Sequence, residues 1–493
     1  MLRHVPGRKN ELIIRTAQIL WAFGRRNLVA TLYLDVYRTR LSSRSCACED
    51  DNKLAKRAIR LRHALEDLGP VFMKLGQMLA SRGDMLPPAY VKELELLQDH
   101  ARAIPYADIK ASLEAVCICE HGPDAKASEH EAVSLCIHCQ KISGVFDAFE
   151  EEPLAVASLA QVHRAKFQGN DVVVKILKPA VLDVINQDLA ILYRLRNNLL
   201  SWIGLSKSID ADEFHADLQR SLHAEVDLQA EGLHMDIFRD HSGHGISTPK
   251  VYWGFGRDDI LVMEFIDGLP LDKVGELSIK TRKELASRLA VGFLEQVLTQ
   301  NLFHCDPHPG NLFLRGEEII FIDFGSVVRL DPAAHDSLRK FLMSISNGDV
   351  EEATAHLLEL CGRSADEIVQ FPGLLLDMGL IVQGFKTGSG TRWSDRIVEM
   401  ARRYKLKLPR GVIGLAKALV LIEAMALKLD PDFRLQEPIE RFIEQAAPED
   451  LKERFHDIDA ALSDYANLLG EAPAILRRLS TIAAEEKTND KKK

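Results

Sequence analysis

No stretch of this 493-residue chain approaches the roughly 20 consecutive apolar residues that a membrane-spanning helix needs, so no transmembrane segment is expected. Cysteine is scarce, and eight in so long a chain do not suggest a disulfide scaffold. Positive charge is not in excess: a net charge of -10 argues against a general nucleic-acid binder, which needs a basic surface to replace phosphate counterions. The start lacks the short apolar core and small-residue cleavage site of a secretory signal, so a cytoplasmic location is expected. What remains is 46% hydrophobic and 27% charged, the composition of a globular protein with enough length for several domains.

The charge is spread unevenly. From Met1 to Arg44, nine Lys and Arg residues stand against two acidic ones. Within that segment ELIIRTAQILWAFGRR offers Leu12, Ile13, Ala17, Leu20, Trp21 and Phe23 to one side of a helix. A basic amphipathic helix of this kind lies in the headgroup layer of an anionic membrane or packs on the protein's own body, and the apolar stripe is the same in both cases. Four cysteines, Cys117, Cys119, Cys136 and Cys139, cluster with His121, His130 and His138. Two close pairs across a loop resemble a structural zinc site, although the first pair is C-x-C rather than C-x-x-C. Ordinary reduced cysteines in a surface insertion are the other reading.

FMKLGQMLAS, residues 72–81, sets Lys74, Gly76 and Gln77 in an otherwise apolar helical run. The simplest account is a lysine stem lying along apolar surface with its ammonium in water. Beyond Pro153 the pattern turns to strands: one through Val162 and Ala165, a turn at Gly169-Asn170, and a buried strand from Val172 to Leu177 that carries Lys175. Helices are expected at 182–200 and 212–238, strands near 251–255 and 260–265, and a long helix at 281–301. An irregular polar loop follows, then short strands at 312–314 and 319–322 that bring the chain to Asp323-Phe324-Gly325.

That order brings Asp306, Asn311 and Asp323 within reach of one another, as hard oxygen groups suited to Mg²⁺ bound with nucleotide phosphates. D-x-x-x-x-N followed by D-F-G is the arrangement of protein-kinase-like enzymes, with Asn311 and Asp323 as metal ligands and Asp306 aimed at the acceptor. Lys175 would hold the α- and β-phosphates of ATP, positioned by a helix carboxylate, Glu231 or Glu225. Backbone groups around Glu264 and Ile266 would meet adenine. His304 and His308 read as groups that stabilise the loop. No G-x-G-x-x-G precedes the Lys175 strand; Ala155, Val156, Ala157 and Ser158 stand there instead. After Gly325 little chain precedes the next helix, near 333–345, which leaves no room for a long activation segment and makes phosphorylation of a protein in trans doubtful.

These residues together resemble the UbiB/ADCK (AarF) family of atypical kinase-like proteins. The matching positions are Lys74, Gly76 and Gln77 (K-x-G-Q); Ala155, Ala157 and Ser158; Lys175; Glu225 and Asp227 (E-x-D); Glu231; Asp306 and Asn311; and Asp323. Resemblance runs from about Leu61 to Phe433. It implies that the K-x-G-Q helices cover the active site, that Lys74 pairs with Glu225, and that Glu231 is left for Lys175. It also implies ATP and Mg²⁺ as cofactors and a role in the biosynthesis of ubiquinone or other isoprenoid lipids. Val156 and His234 depart from the usual Ala and Asn, the cysteine insertion is unusual, and many bacterial relatives end in membrane-spanning helices.

The expected fold is therefore α+β: a bilobal protein-kinase-like fold with a helical N-terminal extension and a mostly helical C-terminal lobe. Its divisions are a basic segment at 1–60, the K-x-G-Q extension at 61–116, the Cys/His-rich insertion at 117–142, an N-lobe at 143–266, a C-lobe at 267–480 and a polar tail at 481–493. The activity implied is that of an Mg²⁺-dependent ATPase or atypical kinase acting as an accessory factor. A small-molecule phosphotransferase and a nucleotide-sensing scaffold with little turnover are the alternatives. Expected partners are ATP, a quinone-precursor or isoprenoid lipid, peripheral contact with the inner face of a membrane, and a second copy or a lipid-biosynthesis complex.

Overall fold

Val172, Val173, Val174 and Ile176 make the run Asn170–Leu177 a buried strand, and it pairs with Ala160–Phe167 at the centre of one sheet. The structure, a computed structural model, describes residues 8–25, 32, 34–35, 51–80, 86–97, 103–114, 117–118, 140–141, 146–202, 210–240, 243, 245–253, 258–368, 370–387 and 393–445. They fall into two compact units: one holds the described residues up to Gln229 together with Trp253–Val262, and the other holds Ala230–Tyr252 and those from Met263 onward.

The first unit opens with helix α1 (Arg8–Arg25), followed by α2 (Asp51–Leu68), α3 (Pro70–Ala80), α4 (Pro88–Glu95) and α5 (Tyr106–Glu114). α1 buries Ile19, and Arg15 donates two hydrogen bonds of 2.7 Å to the buried carboxylate of Asp188 and one to the Leu68 carbonyl. Ile13, Ile14 and Trp21 stay exposed on this helix. A single residue, Gly69, joins α2 to α3 at a φ of +100°, a conformation that costs a side-chain-bearing residue dearly. Between the short strands β1 (Cys117–Ile118) and β2 (Gln140–Lys141), which pair antiparallel, runs the cysteine-rich segment. The side chains of its cysteines lie outside the described residues.

Strands β3 (Ala148–Phe149), β4 (Ala155–Val156), β5 (Ala160–Phe167) and β6 (Asn170–Leu177) follow, and with the later strand β8 (Ile260–Glu264) the sheet runs β3-β5-β6-β8, with β4 also on β5. β5 and β6 pair from Ala160↔Leu177 to Phe167↔Asn170, so the turn is Gln168-Gly169, one residue earlier than the expected Gly169-Asn170. Both turn residues have positive φ, which suits the right-handed twist of a two-residue hairpin, and the Asn170 amide caps it by donating to the Gln168 carbonyl. After α6 (Val181–Trp202), the expected helix over 212–238 is two: α7 (Ala211–Glu225) and α8 (Leu228–Asp240). The break falls at Val226-Asp227, so the E-x-D pair sits on the last residue of α7 and in the corner after it.

Of the expected strand over 251–255, residues 254–255 lie outside the described residues, and the described part carries one bridge, Val251↔Met263, beside β8. In the second unit β7 (Ile246–Ser247), β9 (Leu269–Pro270), β11 (Leu312–Arg315) and β12 (Glu318–Phe321) form a sheet in the order β7-β12-β11-β9. After α8 the α-helices described in this unit are α9 (Ile279–Glu295), α10 (Pro332–Asn347), α11 (Val350–Leu360), α12 (Phe371–Thr387), α13 (Trp393–Arg403), α14 (Arg410–Leu429) and α15 (Gln436–Gln445). Among the described residues no helix is long and apolar enough to cross a membrane.

Candidate active site

The loop that carries Asp306 is set up by an irregularity. At its C-terminal end α9 widens into a π turn, Gln296–Gln300, and Asn301 then takes the left-handed conformation at a φ of 49°. Asparagine tolerates that conformation better than most residues. Its buried side chain donates to the Leu330 carbonyl at 2.8 Å and accepts from the Leu330 N–H at 3.2 Å. Strand β10 (Phe303–His304) then pairs with β13 (Val327–Val328), so the chain just after Gly325 lies along the start of the loop. Only Ser326–Asp331 separate Gly325 from α10, which begins at Pro332 with Asp331 as its N-cap.

Two further links bring the expected polar residues of this unit together. Leu312 faces Phe321 across the β11–β12 hairpin, and the Ile322 N–H donates to the Asn311 carbonyl at 3.0 Å, so Asn311 and Asp323 stand at neighbouring strand ends. The His304 ring then ties Asp306 to Asp323: Nδ1 accepts from the Asp306 N–H at 3.0 Å, and Nε2–H donates to the Asp323 carbonyl at 2.5 Å. Burial holds His304 below the ordinary histidine range, and the neutral ring with its proton on Nε2 fits both bonds. His308 caps the following turn by accepting from the Gly310 N–H at 3.2 Å. Both histidines thus serve the loop, as expected. Phe324 is buried against Phe238 of α8, with ring centroids 4.8 Å apart, and against His304.

One Asp323 oxygen accepts from the Gly325 N–H at 3.0 Å. Among the described residues no group of three or more His, Cys, Asp and Glu side chains could hold a metal by itself. An amide oxygen from Asn311 and a carboxylate from Asp323 are hard donors that suit Mg²⁺ in company with phosphate oxygens, the usual way this ion is held at nucleotide sites. Cys305, next to Asp306, is buried, and burial pushes its thiol up to about 12, which makes it inert as a nucleophile.

In the first unit Lys74 forms an ion pair with Glu225 at the end of α7, the pairing the resemblance implies. Gly76 makes that helix fit: a Cβ there would lie 2.4 Å from Leu97 Cδ1 and 2.8 Å from Leu65 Cδ1. Gln77 donates to the Leu97 carbonyl at 3.0 Å. The three polar or small residues of K-x-G-Q therefore have three separate tasks: charge pairing, close approach and capping the chain end after α4. Ala155 and Val156 are strand residues rather than loop, paired with Val162 and Gln161, and Ala157 closes a tight turn by donating to the Ala160 carbonyl at 2.9 Å. Lys175 lies on β6 opposite Val162.

Glu231 is buried on α8 in the second unit. Glu264 ends β8, where its carboxylate accepts from Arg315 at 2.5 Å and from the Lys250 N–H at 3.2 Å, and Ile266 is buried two residues on. Asn301, Gln161 and Lys417 were not anticipated. Gln161, fully buried on β5, accepts from the Ile104 N–H at 2.8 Å and donates to the Ile104 carbonyl at 3.3 Å, which fastens the chain before α5 to the sheet. Lys417, on α14, lies 3.4 Å from a carboxylate oxygen of Asp306.

Residues 123–357 match the ABC1 atypical kinase-like domain. The protein described as probable protein kinase UbiB from Pseudomonas putida strain F1 is 31% identical over 444 residues, covering 86% of this chain and 77% of that protein. The same description attaches to relatives in Pseudomonas putida strain W619, 31% identical over 86% of this chain and 78% of theirs, and in Pseudomonas fluorescens strain SBW25, 30% identical over 87% and 79%. A solved structure from Mycobacterium tuberculosis, that of Rv3197 with erythromycin, aligns over 81% of this chain and 97% of its own at 20% identity and a TM-score of 0.47, too low to carry an argument. With about three tenths of its residues shared over more than three quarters of each UbiB relative, the chain belongs to the ABC1 (UbiB) family of atypical kinase-like proteins.

Proposed function

We propose that the protein binds ATP with Mg²⁺ and cleaves the γ-phosphoryl group as an ATPase or atypical kinase, in support of ubiquinone or other isoprenoid-lipid biosynthesis. The observation that carries this is the knot around His304, which joins the backbone at Asp306 to the carbonyl of Asp323 while the hairpin holds Asn311 beside them. Asn311 and Asp323 would hold the ion, which would supply positive charge to offset that of the phosphate groups. Asp306 orients the acceptor hydroxyl or water and takes its proton. The family resemblance assigns Lys175 to the α- and β-phosphates with Glu231 as its partner, and on the same reading the Ala155–Ser158 turn would take the place of a glycine loop and the backbone at Glu264 and Ile266 would meet adenine.

The short Ser326–Asp331 segment favours a small acceptor or water over a protein, because a peptide needs a longer platform beside the loop. Peripheral membrane contact is supported by the exposed Ile13, Ile14 and Trp21 of α1 within the basic N-terminal segment. The decisive experiment is calorimetric titration of Mg·ATP into the wild type and Asp323→Asn, followed by single-turnover assays with labelled ATP, lipid vesicles and phenolic quinone precursors. Binding by the wild type and its loss in the variant are expected. Equal affinity in both would show that the metal site is elsewhere. Free labelled phosphate marks an ATPase, labelled precursor a phosphotransferase, and binding without turnover a sensor.

A further inference from the structure

The loop from His304 to Asn311 contains no lysine or arginine, although it carries the carboxylate that must work beside a triphosphate. Two anionic groups brought together in this way need a cation near them, and phosphoryl-transfer sites supply one as a lysine, an arginine or a metal ion. α14 brings such a cation from more than a hundred residues away in the sequence. Lys417 Nζ lies 3.4 Å from Asp306 Oδ1.

An exposed ion pair is by itself weak evidence of a role, since most contribute little. The helix that carries this one is built to come close. Glycine inside a helix costs about 1 kcal/mol relative to alanine, and α14 has Gly411 and Gly414 near its start. A Cβ at Gly411 would lie 2.4 Å from Leu330 Cδ2 and 3.0 Å from Val328 Cγ1; at Gly414 it would lie 2.9 Å from Cys305 Sγ. The two glycines therefore press the helix onto the chain just before Asp306 and shortly after Gly325. Three residues further on, along the same face, stands Lys417. Its charge is felt around it: it acts on the buried Cys305 thiol and the buried His304 ring as well as on Asp306.

We propose that Lys417 is a positioning residue for the phosphoryl-transfer step, delivered to Asp306 by the glycine face of α14; this rests on the functional reading above. In that step the acceptor oxygen bonds to the γ-phosphorus, the bond from phosphorus to the β–γ bridging oxygen breaks, ADP leaves with the electron pair, and the acceptor's proton passes to Asp306. Lys417 holds one oxygen of the carboxylate, so the other is aimed at the acceptor, and it offsets the repulsion between the carboxylate and the incoming phosphates. The absence of a cation in the loop is thereby made good by a distant helix.

The test is steady-state ATP hydrolysis by the full chain as wild type, Lys417→Ala and Lys417→Arg, with melting temperatures and Mg·ATP affinity measured on the same samples. In Lys417→Ala, kcat and kcat/KM should fall together by about 10- to 100-fold, with KM for ATP and nucleotide affinity within about twofold of wild type. Lys417→Arg should recover to within about threefold of the wild-type rate, because it keeps the charge. An unchanged kcat in the alanine variant overturns the proposal, and so does an equal loss in both variants at unchanged melting temperature. Loss of nucleotide affinity with kcat intact also overturns it, by making Lys417 a phosphate-binding group. A wild type that binds Mg·ATP but does not turn it over overturns the proposal and leaves nucleotide binding standing; a wild type that binds no nucleotide removes both.

Discussion

Replacing Gln161 with leucine asks how much one buried amide contributes to holding the N-terminal extension on its sheet. The side chain is fully buried and has three partners: the Ile104 N–H at 2.8 Å, the Ile104 carbonyl at 3.3 Å and His163 Nε2 at 3.1 Å. His163 is itself fixed, since its Nδ1–H donates to the Glu150 carbonyl at 2.9 Å and its ring stacks on Phe149, centroids 5.2 Å apart. Leucine matches the volume of glutamine and deletes every polar atom, so three partners are orphaned at once. An orphaned buried polar group costs about 1–3 kcal/mol; Ile104 is half-buried and water recovers part of its loss, whereas the His163 lone pair has no such relief. Allowing for the easier burial of leucine, the expected loss is about 3 kcal/mol. Urea denaturation should show it as a lower midpoint, and amide exchange should speed up over residues 103–114 while the β11–β12 hairpin stays protected. A loss below about 0.5 kcal/mol, the level of an ordinary surface substitution, with exchange at 103–114 unchanged, would refute the reasoning.

Two other perturbations address different physics. Burial holds the His335 ring below the ordinary histidine range, and its Nε2–H donates to the Val297 carbonyl at 2.9 Å. The unfolded chain then takes up a proton first, so this residue's contribution is intact above about pH 6.5 and is lost as pH falls, by at most about 1.4 kcal/mol per pH unit. His335→Gln keeps the donor and removes the titration, so thermal melts from pH 7.5 to 5.5 should show a shallower decline than wild type; parallel curves would count against the assignment. At Asn301, alanine orphans the Leu330 N–H and carbonyl and must also bear the left-handed backbone. Asn301→Ala should cost about 2–4 kcal/mol, and Asn301→Gly about 1 kcal/mol less because glycine accepts that φ freely. Equal unfolding midpoints for the two variants would show that the backbone conformation is not what asparagine provides there.

The polar groups of the site were readable where the sequence carries a pattern. Asp306, Asn311 and Asp323 stand in an order whose hairpin spacing forces them together, and Lys74 found Glu225 because a family motif joins positions far apart in the chain. What failed to show was decided by packing or by the backbone. The α7–α8 corner falls inside an uninterrupted apolar period with no glycine or proline to mark it, so periodicity alone runs straight through Val226. The turn at Gln168 uses a residue that seldom takes positive φ, and the neighbouring Asn170 gave the stronger signal for the wrong position. Asn301 has its role only because a π turn precedes it, and no short-range pattern announces a π turn. Lys417 looks like any solvent-facing lysine until the glycines three and six residues before it are seen to press against another part of the chain.

The stacking of Phe238 on Phe324 makes two things one. Phe238 rides on the same rod as Glu231, two turns further along, and Phe324 follows directly on Asp323. Any rearrangement that swings the aromatic ring after Asp323 must either drag that rod with it or open a void in a closely filled interior. The acid that would partner a strand lysine and the acid that would clasp the cation are therefore geared together, so a change felt at one is registered at the other without any messenger between them.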